Sequence, residues 1–228
     1  MKKALVIMAG LLVASTIAAT AQEVLSQTAV GYIKRTLPAD AKLITVAIPF
    51  NSMESTEVLF GETTLAQEAP AGSEVLFWDE SRQSWAGGGK NAKGWGGVSN
   101  RVVRPGEAFF LRGPPRAAAQ ELTIAGEVPD ETNLVRTVAG NASLSILGNP
   151  YPLDVAWGDL QIAKDAPSGS EVMFWDESRQ SWSGGGKNAK GWGGTSNRTV
   201  SASEGFFLRL PRDDAAIDWR ASKPYTWP

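Results

Sequence analysis

Apolar and polar positions alternate along Lys42–Phe50, with Ile44, Val46 and Ile48 pointing one way and Leu43, Thr45 and Ala47 the other. A period of two predicts a strand. Ala29–Leu37 reads as a preceding strand, separated from it by the turn residues Pro38-Ala39-Asp40. Glu107–Arg112 is another, with Phe109 and Leu111 on one face, and Glu121–Val128 is a further one. Ser55–Gly72 opens on an N-cap residue and carries a mixed apolar pattern worth one or two helical turns. The same series recurs in Leu134–Tyr151, Asp154–Gly169, Arg198–Pro211 and Ala215–Arg220, and Pro129–Asn133 marks the boundary. The fold class expected is therefore all-β. Two tandem, similar, small β-sandwich or barrel-like modules span 22–129 and 134–228, each with about five or six short strands and at most one short helical turn.

The two modules share a cassette of 29 residues, Ser73–Arg101 and Ser170–Arg198, that differs at only three positions: Leu76/Met173, Ala86/Ser183 and Val98/Thr195. A spacing of 97 residues marks a duplicated domain and not a solenoid unit. The cassette opens as a strand, Glu74–Trp78, and turns through Asp79–Gln83 into Ser84-Trp85, a hairpin of the longer-loop kind. Gly87–Gly97 then reads as a loop, because six glycines leave much of the backbone bare. A common partner for both cassettes explains the identity, and so does recent exchange of sequence between them; the amino-acid sequence alone leaves both open.

Composition narrows the chemistry. The chain has 228 residues and neither Cys nor His, which removes thiol nucleophiles, disulfides, Cys/His zinc sites and His-based triads. The formal charge of -2 gives no reason to expect nucleic acid. Lys2 and Lys3, the apolar run from Ala4 to Ala18 and the small residues Ala19-Thr20-Ala21 read as a signal peptide over 1–21, predicting a mature chain from Gln22. Export to the extracellular space, cell surface or periplasm follows as the expectation. No later stretch is apolar enough for a membrane span.

Six of the nine tryptophans lie in the cassettes. Trp78 and Trp175 sit within apolar strands and suit packing, as does Trp157, whose place Phe60 takes in the first module. Trp95 and Trp192 stand between glycines, where a ring can cover the underside of a loop or stack on a sugar. A stacking surface with amides for hydroxyls and cations for acidic substituents gives one set of candidate ligand-binding residues: Arg82, Trp85, Lys90, Asn91, Lys93, Trp95 and Asn100. Its copy is Arg179, Trp182, Lys187, Asn188, Lys190, Trp192 and Asn197. The competing reading of the Lys/Asn residues is a solubilising loop.

No catalytic residue, metal site or cofactor is indicated. Gly87–Lys93 misses the phosphate-loop pattern because Asn91 follows Lys90, and no strand–loop–helix context surrounds it. The adjacent carboxylates Asp79/Glu80 and Asp176/Glu177 read as turn residues, since neighbours on a strand face opposite ways.

Taken together, Ala29-Val-Gly-Tyr32, a strand ending in Pro49, Ser73-Glu-Val-Leu-Phe-Trp-Asp79, Gly94-Trp95, Pro105–Leu111 and Gly126-Glu-Val-Pro129 resemble a module common in secreted proteins of Verrucomicrobia and related bacteria. The resemblance covers nearly the whole mature chain; Ala202-Ser203 departs from it at Pro105-Gly106. It implies an exported all-β protein and supplies no catalytic residues. The function expected is a non-enzymatic binding or adhesion protein that engages a polysaccharide or cell-surface polymer through two equivalent loops. The alternative is a self-associating structural subunit of a surface layer or fibre.

Overall fold

The computed structural model describes residues 29–131 and 133–226; the signal peptide expected at 1–21 lies outside them. In the first half the strands are β1 (Val30–Leu37), β2 (Leu43–Ala47), β3 (Val58–Leu59), β4 (Glu74–Asp79), β5 (Ser84–Gly89), β6 (Val102–Val103), β7 (Ala108–Arg112) and β8 (Gln120–Glu127), with a short helix α1 (Thr64–Glu68). The second half repeats them as β9 (Asn133–Val138), β10 (Leu144–Gly148), β11 (Val155–Ala156), β12 (Glu171–Asp176), β13 (Ser181–Gly186), β14 (Thr199–Val200), β15 (Gly205–Arg209) and β16 (Ile217–Ser222), with α2 (Gln161–Asp165). The protein is all-β, and its two halves share one topology.

Each module is built on a four-stranded antiparallel sheet, ordered β2-β7-β4-β5 in the first and β10-β15-β12-β13 in the second. A two-stranded ribbon closes each core, β1 with β8 and β9 with β16. The alternation read from the sequence sorts the sheet as expected. Ile44, Val46, Val75, Phe77, Phe109 and Leu111 enter the first core, where they meet Leu65 and Ala66 of α1 and Leu122 and Ile124 of β8. Phe60 stands at the centre, edge-on to Phe77 at 5.4 Å, Phe109 at 5.5 Å and Trp95 at 4.9 Å. Trp157 repeats this against Phe174, Phe206 and Trp192, at 5.8, 5.1 and 5.0 Å, so it is a packing residue.

Two local expectations need correction. The predicted loop over Gly87–Gly97 begins too early, because β5 runs on to Gly89 and pairs with β4 from Asp79↔Ser84 to Glu74↔Gly89. A Cβ at Gly87 would drive into the Val75 carbonyl, so glycine here serves close strand contact and not loop freedom. The helical turn is capped by Thr63, whose hydroxyl accepts from the Ala66 amide, rather than by Ser55.

The outer faces of the two sheets are apolar as well, and they cover one another. Ala47, Ala108, Ile146 and Phe207 form a separate buried cluster, with Trp78, Leu144, Met173 and Trp182 packed on it. The contacts come in reciprocal pairs. Trp78 Nε1 donates to the Leu144 carbonyl at 2.7 Å, and Trp175 Nε1 to the Leu43 carbonyl at 2.9 Å. The Gln83 carboxamide oxygen accepts from the Leu144 amide at 2.7 Å, and that of Gln180 from the Leu43 amide at 2.7 Å. Arg136 pairs with Glu80 at 2.8 Å and Arg35 with Glu177 at 2.5 Å. The Ala47 amide donates to Ser203 O, and Gly148 to Gly106 O, both at 3.0 Å. This is the pattern of an isologous dimer interface, realised inside one chain.

Candidate ligand-binding cleft

Beside that buried centre the junction opens into a cleft of about 420 Å³, lined by Leu43, Leu76, Trp78, Trp85 and Phe110 from one module and Leu144, Trp175, Trp182 and Phe207 from the other. Local sequence accounts for its walls. The turn after β4 is fixed by Asp79, whose Oδ1 accepts from the Ser81 and Arg82 amides and the Ser81 hydroxyl, and it closes with Gln83 at a positive φ. The hairpin register then sets Trp78 directly across from Trp85, and Trp175 across from Trp182. The rings continue across the junction: Trp78 meets Phe207 at 5.2 Å and Phe110 meets Trp175 at 5.1 Å. The indole N–H groups of Trp78 and Trp175 are spent on main-chain carbonyls. Those of Trp85 and Trp182 have no acceptor among the described residues, and Trp85 is 37% exposed.

The sequence candidates separate into three groups. Trp85 and Trp182 line the cleft. Lys90, Trp95 and their copies turn inward. Trp95 is only 4% exposed and Trp192 6%, and their indoles donate to Ala66 O and Ala163 O at 2.8 Å, so neither presents a ring for stacking. Lys90 Nζ donates to the carbonyls of Ala66, Gln67 and Ala69, and Lys187 Nζ to those of Ala163, Lys164 and Ala166. A cation on the orphan carbonyls at a helix C-terminus is a favourable cap. Desolvation lowers the Lys90 pKa, in keeping with an inward-facing ammonium. Asn91 and Asn188 accept from the Lys93 and Lys190 amides, which shapes the loop tip. The third group is exposed: Arg82 and Arg179, each in a loose pair with Asp79 or Asp176, and Lys93, Lys190, Asn100 and Asn197.

The charged groups at the rim of the junction pair within the chain, while Arg35 Nε and Arg136 Nε are buried without a partner among the described residues. Arg101 lies 4.9 Å over the Phe77 ring and pairs with buried Glu107 at 2.5 Å; Arg198 repeats this over Phe174 with Glu204. Burial raises the pKa values of Glu80 and Glu177, against the pull of Arg136 and Arg35.

The site drawn from sequence lacked Trp78, Trp175, Phe110, Phe207, Leu43 and Leu144. The signal for them was present in β4, where Val75 and Phe77 alternate with Leu76 and Trp78. A strand apolar on both sides is covered on both sides. Set against protein-family models, curated proteins and solved structures, the chain matches none of them.

Proposed function

We propose that this is an exported, non-enzymatic binding protein that takes a sugar unit of a polysaccharide or cell-surface polymer into the aromatic cleft between its modules. The observation that carries the reading is the meeting of four tryptophans and two phenylalanines in one open cleft, with two indole N–H donors unspent. Indole faces stack on the C–H faces of pyranose rings, and free N–H groups at the edge suit hydroxyl acceptors. Lys93, Lys190, Arg82 and Arg179 stand exposed on the outer surface, where they suit acidic substituents of the same polymer. A binding role also fits the carboxylates: buried Glu107 and Glu204 are each consumed by an arginine.

Tryptophan fluorescence titration with neutral and acidic soluble polysaccharides tests this. Two rings at about 0.5–1.5 kcal/mol each predict that the Trp85→Ala/Trp182→Ala variant binds about tenfold more weakly or worse. Equal binding by that variant removes the cleft from the reading.

A second reading, a self-associating subunit, is favoured by β5 and β13. Each is an edge strand, six residues long and glycine-rich, without charge or proline to deter strand addition by another copy. Light scattering at high concentration tests it, and a strict monomer excludes it.

A further inference from the structure

The two faces of the junction share their Trp, Gln and Arg–Glu contacts, and at the centre they mismatch in a systematic way. The modules align there as Ala47/Gly148 on β2 and β10, and as Ala108/Gly205 on β7 and β15. Each residue also sits against its own equivalent. A Cβ built on Gly148 would fall well inside 3.0 Å of the Ala47 methyl, and one on Gly205 well inside 3.0 Å of the Ala108 methyl. Neither glycine has a positive φ, so the backbone does not require them. Both are glycine for space alone. A third difference lies beside them: Thr45 Oγ1 accepts from the Gly205 amide at 3.2 Å, whereas the aligned residue in the second module, Ile146, has no acceptor to offer.

The consequence follows from symmetry. A first module against another first module would set Ala47 on Ala47 and Ala108 on Ala108, two overlaps of buried methyl groups in a close-packed centre. Two second modules would leave two methyl-sized gaps. Only the mixed pair fills the space. The reciprocal Arg–Glu and Gln–backbone contacts are alike on both faces and do not discriminate.

We infer that the junction is a keyed pseudo-two-fold interface: the first-module face takes a second-module face and rejects its own kind. The partner it fits, apart from its own second half, is the second module of another copy of this chain. Within one chain the short connection from Glu127 to Asn133 keeps the effective concentration high and favours closure. Two copies satisfy the same faces by exchanging modules, and every contact in such an assembly is first-to-second. The inference is independent of what the aromatic cleft binds.

Two full-length variants test it. Gly148→Ala/Gly205→Ala places alanine on both faces, and this chain cannot close on itself. Ala47→Gly/Ala108→Gly places glycine on both, and this chain closes loosely. When the two are unfolded, mixed and refolded together, each face finds its complement only in the other chain. Light scattering is expected to show a two-chain complex that neither variant forms alone. The fourfold variant carrying all these changes reverses the alanine–glycine key, leaves only Thr45 Cβ tight against the new methyl at 205, and is expected to return a closed monomer with a melting temperature above that of either double variant. That rescue separates a blocked junction from a misfolded module. The inference is overturned if the double-alanine chain alone stays a compact monomer of native stability, if the mixture holds only single chains, or if the fourfold variant is not rescued.

Discussion

The hairpin end of the cassette and its glycine-rich end are equally well copied, yet they do different work. Trp78, Gln83 and Trp85 reach out of their module and meet the other one. Lys90 and Trp95 reach inward and fasten α1. At the hairpin end duplication is what an isologous contact asks for, since each residue must serve on both sides of the same axis. At the glycine-rich end it maintains two independent copies of one internal clamp. Repetition of sequence thus marks two structural demands, and only the first produces a surface shared between modules.

The sharpest break of that comparison is Trp95→Ala. It removes a buried ring that contacts Phe60 and the Ala66 carbonyl, and is expected to cost about 3–5 kcal/mol in chemical denaturation. Trp192→Ala is expected to match it in the second module. Trp85→Ala, at an open cleft, should cost well under half as much. Equal losses at Trp85 and Trp95 would erase the distinction between the two ends.

Lys90→Met comes next. Three carbonyls lose their shared donor, for about 1–3 kcal/mol, while Lys93→Ala at the exposed tip stays within about 0.5 kcal/mol. The same two-residue contrast holds for Lys187 and Lys190. A smaller effect is expected at the junction from Gln83→Ala with Gln180→Ala, about 1 kcal/mol for each lost pairing. Its signature is a looser pair of modules by small-angle scattering, with each core unchanged by near-ultraviolet circular dichroism.

Much of this architecture could be read from period-two alternation. That pattern placed β2 and β7 and set Ile44 with Val46, and Phe109 with Leu111, on common faces, which are the faces the first core buries. It did not place the module junction, since an apolar outer face looks the same whether it meets a neighbour, a ligand or another chain. The candidate site suffered from the same limit. Lys90 and Trp95 have the composition of a binding loop, and only the path of the chain turns them towards α1. Gly148 and Gly205 carried no signal at all, because their meaning lies in the alanines opposite.

The smallest expected effect concerns charge at the junction, and its sign is opposite to the one a salt bridge suggests. Glu80 faces Arg136 and Glu177 faces Arg35, yet burial raises both carboxyl pKa values above the ordinary 4.5. A raised value means that the folded chain holds those protons more tightly than the unfolded chain. Their stabilising contribution is complete below about 4.5 and is lost as pH rises through the folded value. Asp79 and Asp176 behave oppositely. Bonds from Ser81 and Ser178 hold their pKa values below the ordinary 3.8, so their contribution is present above it and disappears as pH falls further. The melting temperature is therefore expected to rise modestly as pH falls through the folded Glu80 and Glu177 values towards about 4.5, and to fall below about 3.8. Glu80→Gln/Glu177→Gln flattens the rise and spares the fall, and Asp79→Asn/Asp176→Asn does the reverse. A native chain already losing stability as pH falls towards about 4.5, through a loss that the glutamine variant abolishes, would show that the Arg–Glu attraction at the hairpin end outweighs burial.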